Sequence, residues 1–279
     1  ACLKGYIMKL NTNNISKIPA LSGAATVEVP TYDRSQVTQG IVHIGVGGFH
    51  RAHLALYMEK LLNAGKASQW GICGVGLRDG DQQISDALTQ QDNLYTLFEL
   101  QQNEDKVQVI GAIGDFILAQ QDSAKLISKL ADEETRIVSL TITEGGYCID
   151  DNTGLFNPDL PEVIEDVSNP DSPKTAFGYL ALALKLRRDA GIKPFTIMSC
   201  DNLPNNGKVT RQVMLSFSAL VDPDLSQWIV AIGKKLTPIS RAYTSSQTAL
   251  CEHASIFTTD CSIPCKDFIN RNSDNIVIG

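Results

Sequence analysis

Gly45-Val46-Gly47-Gly48-Phe49-His50 is the segment whose residue types and spacing most directly suggest chemistry. It carries the first two glycines of a G-x-G-x-x-G pattern, with His50 where the third would stand. In that pattern the first glycine makes a tight turn and the second lets backbone approach a pyrophosphate. The third lets helix and strand pack closely. A β-branched run, Ile41-Val42-His43-Ile44, precedes the segment, and helically spaced apolar residues follow it over 52–62. Strand, turn and helix in that order put backbone N–H groups where a phosphate would sit. The residues expected to meet a cofactor here are Ile44, Gly45, Val46, Gly47, Gly48, Phe49, His50 and Arg51.

The same fingerprint asks for an acid after the second strand, to hold the adenosine ribose hydroxyls. Asp79 and Asp81 follow the strand-like run 70–77, Asp79 lying 32 residues beyond Gly47, a longer interval than usual. A carboxylate there repels a 2′-phosphate and favours NAD over NADP, with Arg78 as a moderating neighbour. The alternative is a pair of solvated turn acids.

The rest of the chain supplies elements to position these groups. Strand-like runs are expected at 92–100 and 107–110, a hairpin, and at 136–142 and 195–200. Helical patterns cover 123–130, 175–188 and 209–220, and the Asp-, Asn- and Pro-rich stretch 150–173 reads as a surface loop. Strands alternating with helices imply an α/β fold of Rossmann type, a mostly parallel sheet covered by helices on both faces. Residues 1–37 read as an N-terminal arm, Met8 as a natural start and 38–228 as the dinucleotide-binding domain. Residues 229–279 read as an atypical, poorly patterned tail.

Composition narrows the function classes. With 24 Lys and Arg against 31 Asp and Glu the net charge is −7, the wrong sign for nucleic acid. No apolar run approaches the roughly 18 residues of a membrane helix, and the first ten residues lack the apolar region of a secretory signal. Seven cysteines without such a signal indicate thiols in a reducing compartment, the cytoplasm.

Three blocks together resemble the polyol-specific long-chain dehydrogenase family. They are Gly45-Val46-Gly47-Gly48-Phe49-His50-Arg51-Ala52-His53, Thr141-Ile142-Thr143-Glu144-Gly145-Gly146-Tyr147 and Ser199-Cys200-Asp201-Asn202-Leu203-Pro204. Each stands at the carboxyl end of an expected strand, and the resemblance runs from about Met8 to Trp228. It implies an NAD-dependent oxidoreductase interconverting a linear, mannitol-like polyol and a fructose-like ketose. The hexuronate reductases acting on fructuronate or tagaturonate share much of the pattern. The resemblance assigns the ribose to Asp81 with Asp79 beside it, the substrate oxygen to Asn202, and the nicotinamide side to Glu144 and Tyr147. An amide N–H aimed at developing negative charge suits Asn202, although an ordinary Asx turn is the plainer reading. No metal is required, and a monomer is expected.

The departures bear on catalysis. Members of that family continue into a helical second domain through a Val-Asp-Arg-Ile-Thr-Pro block, then use a Lys-x4-Asn-x2-His motif whose Lys is the general base; neither is present in these 279 residues. Lys234 and Lys235 are the nearest substitutes, with nothing around them to suggest a lowered pKa. The chain therefore reads as a truncated enzyme or a non-catalytic NAD-binding module. Cys251, Glu252, His253, Cys261 and Cys265 do not follow a zinc framework. His50 and His53 lack an acidic partner for a metal, and Ser139 and Ser199 lack a nucleophile elbow.

Overall fold

The structure, a computed structural model, describes residues 10–18, 27–99, 106–150, 152–233 and 276–278. In chain order the strands are β1 (Val27–Glu28), β2 (Ile41–Ile44), β3 (Ile72–Gly76), β4 (Tyr95–Glu99), β5 (Lys106–Ile110), β6 (Ile113–Leu118), β7 (Ile137–Leu140), β8 (Thr196–Ser199) and β9 (Ile276–Ile278). The helices are α1 (Gly48–Ala52), α2 (Leu54–Asn63), α3 (Gln82–Thr89), α4 (Ser123–Ala131), α5 (Pro161–Ser168), α6 (Ala176–Asp189), α7 (Asn206–Val221) and α8 (Pro223–Gly233).

Five strands form the central sheet in the order β6-β3-β2-β7-β8, every pair parallel. The chain works outward from β2 to β6, then returns to lay β7 on the other side of β2. The strand order thus reverses between β2 and β7, and a crevice opens at their carboxyl ends, where ligands of doubly wound sheets bind. Every residue of β2, β3 and β7 is buried. Parallel strands covered on both faces read as unbroken apolar runs, which is why these were visible in the sequence.

Period-two alternation sorts β2 between two cores. Val42 and Ile44 face Leu126 and Leu130 of α4, Phe177 and Leu180 of α6, and Val213 and Phe217 of α7. Ile41 faces the opposite core, with Leu56 and Met58 of α2 and Leu88 of α3. Helices therefore cover both faces, as expected of the Rossmann type. Each large apolar side chain taken fully out of water contributes about 1.5–3 kcal/mol. A second sheet, β1-β5-β4-β9, shares no strand with the first, and its Tyr95, Leu97 and Ile110 join the core of Ile41 and Ile72; in it β4 and β5 form the expected antiparallel hairpin.

The N-terminal arm is tied down by Arg34, whose guanidinium donates to the carbonyls of Asp92, Gly111 and Ile113. The 52–62 helix is two helices broken at His53, whose φ of −118 and ψ of −84 interrupt the ladder. The stretch 150–173 is not wholly a loop: α5 lies within it, started by Pro161 in its first turn and held by buried Val163 and Asp166. Strand β6 and helix α3 were not anticipated, and α8 runs through the expected boundary at 228 to Gly233. Of the tail beyond it, only 276–278 lie within the described residues. Among the described residues no helix is long and apolar enough to cross a membrane.

Candidate functional site

The glycine turn begins where β2 ends. Gly45 has φ +94, and a Cβ there would stand 2.1 Å from the Thr141 carbonyl oxygen, so only glycine lets the β2 and β7 ends approach this closely. The Gly47 N–H donates back to the Gly45 carbonyl at 2.8 Å, closing the turn, and Gly47 caps α1. A Cβ on Gly47 would find nothing nearer than the Gly45 oxygen at 4.0 Å. The fold itself therefore does not require glycine at 47.

A relay of hydroxyls and imidazole fixes the turn from beneath. His43 meets Ser139 Oγ through Nδ1 at 2.7 Å and Thr141 Oγ1 through Nε2 at 2.9 Å, while the Thr141 hydroxyl donates to the Gly45 carbonyl at 2.6 Å. With the Thr141 proton committed to Gly45, its oxygen accepts from Nε2–H, and Nδ1 accepts from Ser139. This assigns a neutral Nε2–H tautomer from the network. Burial agrees, holding the His43 imidazole down to about 3, mostly through desolvation.

His50 stacks on His43 with ring centroids 3.5 Å apart and planes 13° from parallel. Its desolvation holds it well below the usual histidine range, and neither ring nitrogen has a hydrogen-bond partner among the described residues. Where a third glycine would let helix and strand touch, this chain inserts an aromatic layer. His53 turns away, its Nδ1 meeting the Phe49 carbonyl at 2.9 Å, so the two histidines do not converge on a metal. Among the described residues no group of three or more His, Cys, Asp or Glu could hold a metal ion. The Cys251, Glu252, His253, Cys261 and Cys265 set, with Lys234 and Lys235, lies outside the described residues.

A cleft of about 330 Å³ opens at the switch point, lined by the glycine turn, the segment after β3, the loop after β7, Glu162 of α5 and residues 174–176 at the start of α6. Of the expected cofactor residues, Ile44, Gly45, Val46, Gly47 and Asp81 line it. Gly48, Phe49, His50, Arg51, Asp79 and Glu144 do not. Arg51 instead reaches back to the Val46 carbonyl, and Asp79 and Glu144 are exposed beside the cleft. Asp81 accepts from the Arg78 N–H at 2.9 Å, and Gly76 makes room for its side chain, since a Cβ on Gly76 would stand 2.5 Å from that of Asp81. The Arg78 guanidinium crosses to the Ile142 carbonyl at 3.2 Å.

The opposite wall depends on a residue that sequence reasoning quoted but gave no role. The Asp201 carboxylate accepts from the N–H groups of Ile142 and Thr143, each at 3.0 Å, and from the Tyr147 hydroxyl at 2.7 Å. Tyr147 is fully buried and also meets Ser199 Oγ at 2.5 Å, which accounts for both residues without a nucleophile. Burial, with the Asp201 charge beside it, pushes the Tyr147 phenol well up. Asn202, next along the chain, is exposed. It does not line the cleft. The aspartate's role had no signal in spacing, because its partners are backbone groups 58 and 59 residues away.

Comparisons with known proteins show the family. Residues 39–234 match the family described as the mannitol dehydrogenase Rossmann domain. A mannitol 2-dehydrogenase of Aspergillus clavatus is 43% identical over 259 residues, 89% of this chain and 51% of that protein. One of Cereibacter sphaeroides is 47% identical over 206 residues, covering 74% and 43%. Among solved structures, the Pseudomonas fluorescens mannitol 2-dehydrogenase ternary complex with NAD and D-mannitol is 52% identical with a TM-score of 0.76, covering 80% of this chain and 45% of that one. A substrate-free D-sorbitol dehydrogenase is 42% identical with a TM-score of 0.74 over the same shares. The chain spans about half the length of the relatives it matches.

Proposed function

We propose, given that this chain belongs to the mannitol dehydrogenase family, that its switch-point cleft binds NAD and serves the interconversion of a linear, mannitol-like polyol and a fructose-like ketose. The observation that carries the reading is Gly47. Its missing side chain faces open cleft rather than protein, so what needs a glycine there is a ligand and not the fold.

The pyrophosphate would lie against the turn 45–48, and Asp81 on the cleft wall, with Asp79 beside it, would receive the adenosine ribose. Arg78, drawn across to Ile142, leaves that carboxylate uncompensated, which supports NAD over NADP. The nicotinamide would extend past the switch point toward Gly145 and Gly146, with Glu144 beside it and Asn202 offering its amide to the polyol oxygen. Bound NAD supplies the hydride acceptor; the chain's own residues bind, orient and polarise.

The proton acceptor that the family resemblance gives to a Lys is absent from these 279 residues. General-base catalysis contributes about 10²–10⁴-fold, so these residues assayed alone are expected to bind NAD with little polyol turnover. The second reading, carried by the Rossmann-domain match over residues 39–234, is that the residues given serve as the NAD-binding module alone. Residues 38–233 form the cofactor-binding unit, and we assign it a monomeric state, a reducing compartment such as the cytoplasm and no nucleic-acid partner. The free thiols Cys73, Cys148 and Cys200 and the net charge of −7 support the last two.

Calorimetric titration of the chain with NAD and NADP, beside assays with mannitol plus NAD and fructose plus NADH, tests both readings. NAD binding stronger than NADP binding is expected, with the preference relaxed in Asp81→Ala. Equal affinity for the two in the unaltered chain defeats the cofactor assignment to Asp81. Turnover within about tenfold of a full-length relative, roughly 1.4 kcal/mol in barrier, defeats the module reading.

A further inference from the structure

We infer that Asp201 is a positioning residue for the nicotinamide half of the dinucleotide, acting through the turn 142–146 that it clamps; the inference rests on the NAD reading above. Thr143 is a β-branched residue at φ +61 and ψ 170, a backbone region that is essentially glycine territory. Such a conformation persists only where its surroundings over-determine it. Here the Asp201 carboxylate does so, taking the N–H groups of two successive peptides, those of Ile142 and Thr143, and the Tyr147 hydroxyl at the far end of the block. Asp201 is itself anchored from α7, where the Asn206 amide donates to the carbonyls of Ser199 and Asp201.

The consequence is directional. Thr143, Gly145 and Gly146 line the cleft on its β7 side, whereas the glycine turn and Asp81 line it on the β2 and β3 side. A dinucleotide laid across the switch point puts one mononucleotide on each side. The carboxylate therefore governs only the half beyond the pyrophosphate, and it ties that wall to the residue preceding Asn202.

The test separates the two halves of the ligand. The unaltered chain and Asp201→Asn are titrated with NAD and with ADP-ribose, which lacks the nicotinamide. In the variant the new NH₂ faces one of the two backbone donors. NAD affinity is expected to fall about tenfold while ADP-ribose affinity stays within about twofold, as suits the loss of one charge-assisted contact on one side. In the ligand-free chain, hydrogen exchange at the Ile142 and Thr143 amides is expected to quicken by about the same factor. Equal losses for both ligands, or an unchanged NAD affinity, overturn the positioning role.

If Asp201→Asn does not fold, Tyr147→Phe removes one partner and keeps the ring; about a threefold loss for NAD alone is then expected, and no loss, or a parallel one, overturns the inference. Failure of the unaltered chain to bind either ligand overturns the cofactor reading and the positioning role with it. Tight ADP-ribose binding with no Asp201 effect on NAD overturns the positioning role alone.

Discussion

At the β2 end of the cleft the chain is shaped by side chains it lacks, whereas at the β7 and β8 end it is held by one carboxylate. Gly45 works by omission, letting two strand ends meet, and on the NAD reading proposed above Gly47 leaves room for a ligand. Across the crevice, Thr143 is forced into a glycine-like conformation although it is not glycine, and Asp201 bears the cost through three hydrogen bonds. At Gly45 the first end is fixed because nothing larger fits. The second is rigid only while its hydrogen bonds last.

The largest expected effect comes from filling the space at Gly45. Gly45→Ala sets a Cβ against the Thr141 carbonyl in a positive-φ backbone, and is expected to cost about 3 kcal/mol in urea denaturation. A loss below about 1 kcal/mol would mean that the turn yields, and the contrast between the two ends would weaken.

Acid attacks the same end next. The folded pKa of His43 is held down to about 3, and that of His50 also lies well below its ordinary value. Unfolding therefore takes up protons. The stability is fully present above about pH 6.5 and is lost as pH falls from there toward 3, at about 1.4 kcal/mol per pH unit per histidine. Denaturation midpoints between pH 7 and 5 check the slope, and His50→Phe, which keeps a ring on His43 without a charge to acquire, is expected to halve it, leaving the share of His43. An equally steep slope in that variant would place the titration elsewhere.

A third effect separates fold from ligand. Gly47→Val is expected to cost no more than about 1 kcal/mol of stability, the worth of an N-cap preference. Its NAD affinity should fall at least about tenfold, or 1.4 kcal/mol. If affinity and stability fall together, Gly47 serves the fold after all. The smallest effect, and of opposite sign, is at the other end: Thr143→Gly relieves strain and is expected to add about 1 kcal/mol. A destabilised variant would show that Asp201 holds no strain there.

These two ends also differed in how far they could be read from sequence. The glycine turn was legible because its logic is local: a β-branched run, two glycines in three residues and an amphipathic stretch fall within 41–62. Strands β2, β3, β7 and β8 were legible because a parallel sheet buried on both faces leaves continuous apolar runs. Helix α5 was missed because Asn, Asp and Pro surround it and only Val163 and Asp166 of its eight residues are buried. Strand β6 was missed because Gly114 and Asp115 interrupt its pattern, and α3 because it buries Leu88 alone. The clamp on Thr143 was illegible for a different reason. Its acceptor and donors are brought together only by the pairing of β7 with β8, and backbone N–H groups have no letter in a sequence.

The strand order also dictates when this molecule can form. Strand β2 sits at the centre, yet its neighbour β7 lies far along the chain, with His43 and Ser139, 96 residues apart, directly paired. No hairpin closes any pair in the central sheet, so each step toward it closes a long loop before contacts reward it. Such topologies fold slowly. During synthesis β2 has one edge open until residues 137–140 have emerged, and the crevice has only one wall before then. A ribosome-bound chain stopped at Leu118 would carry the glycine turn without the Thr141 hydroxyl that steadies it.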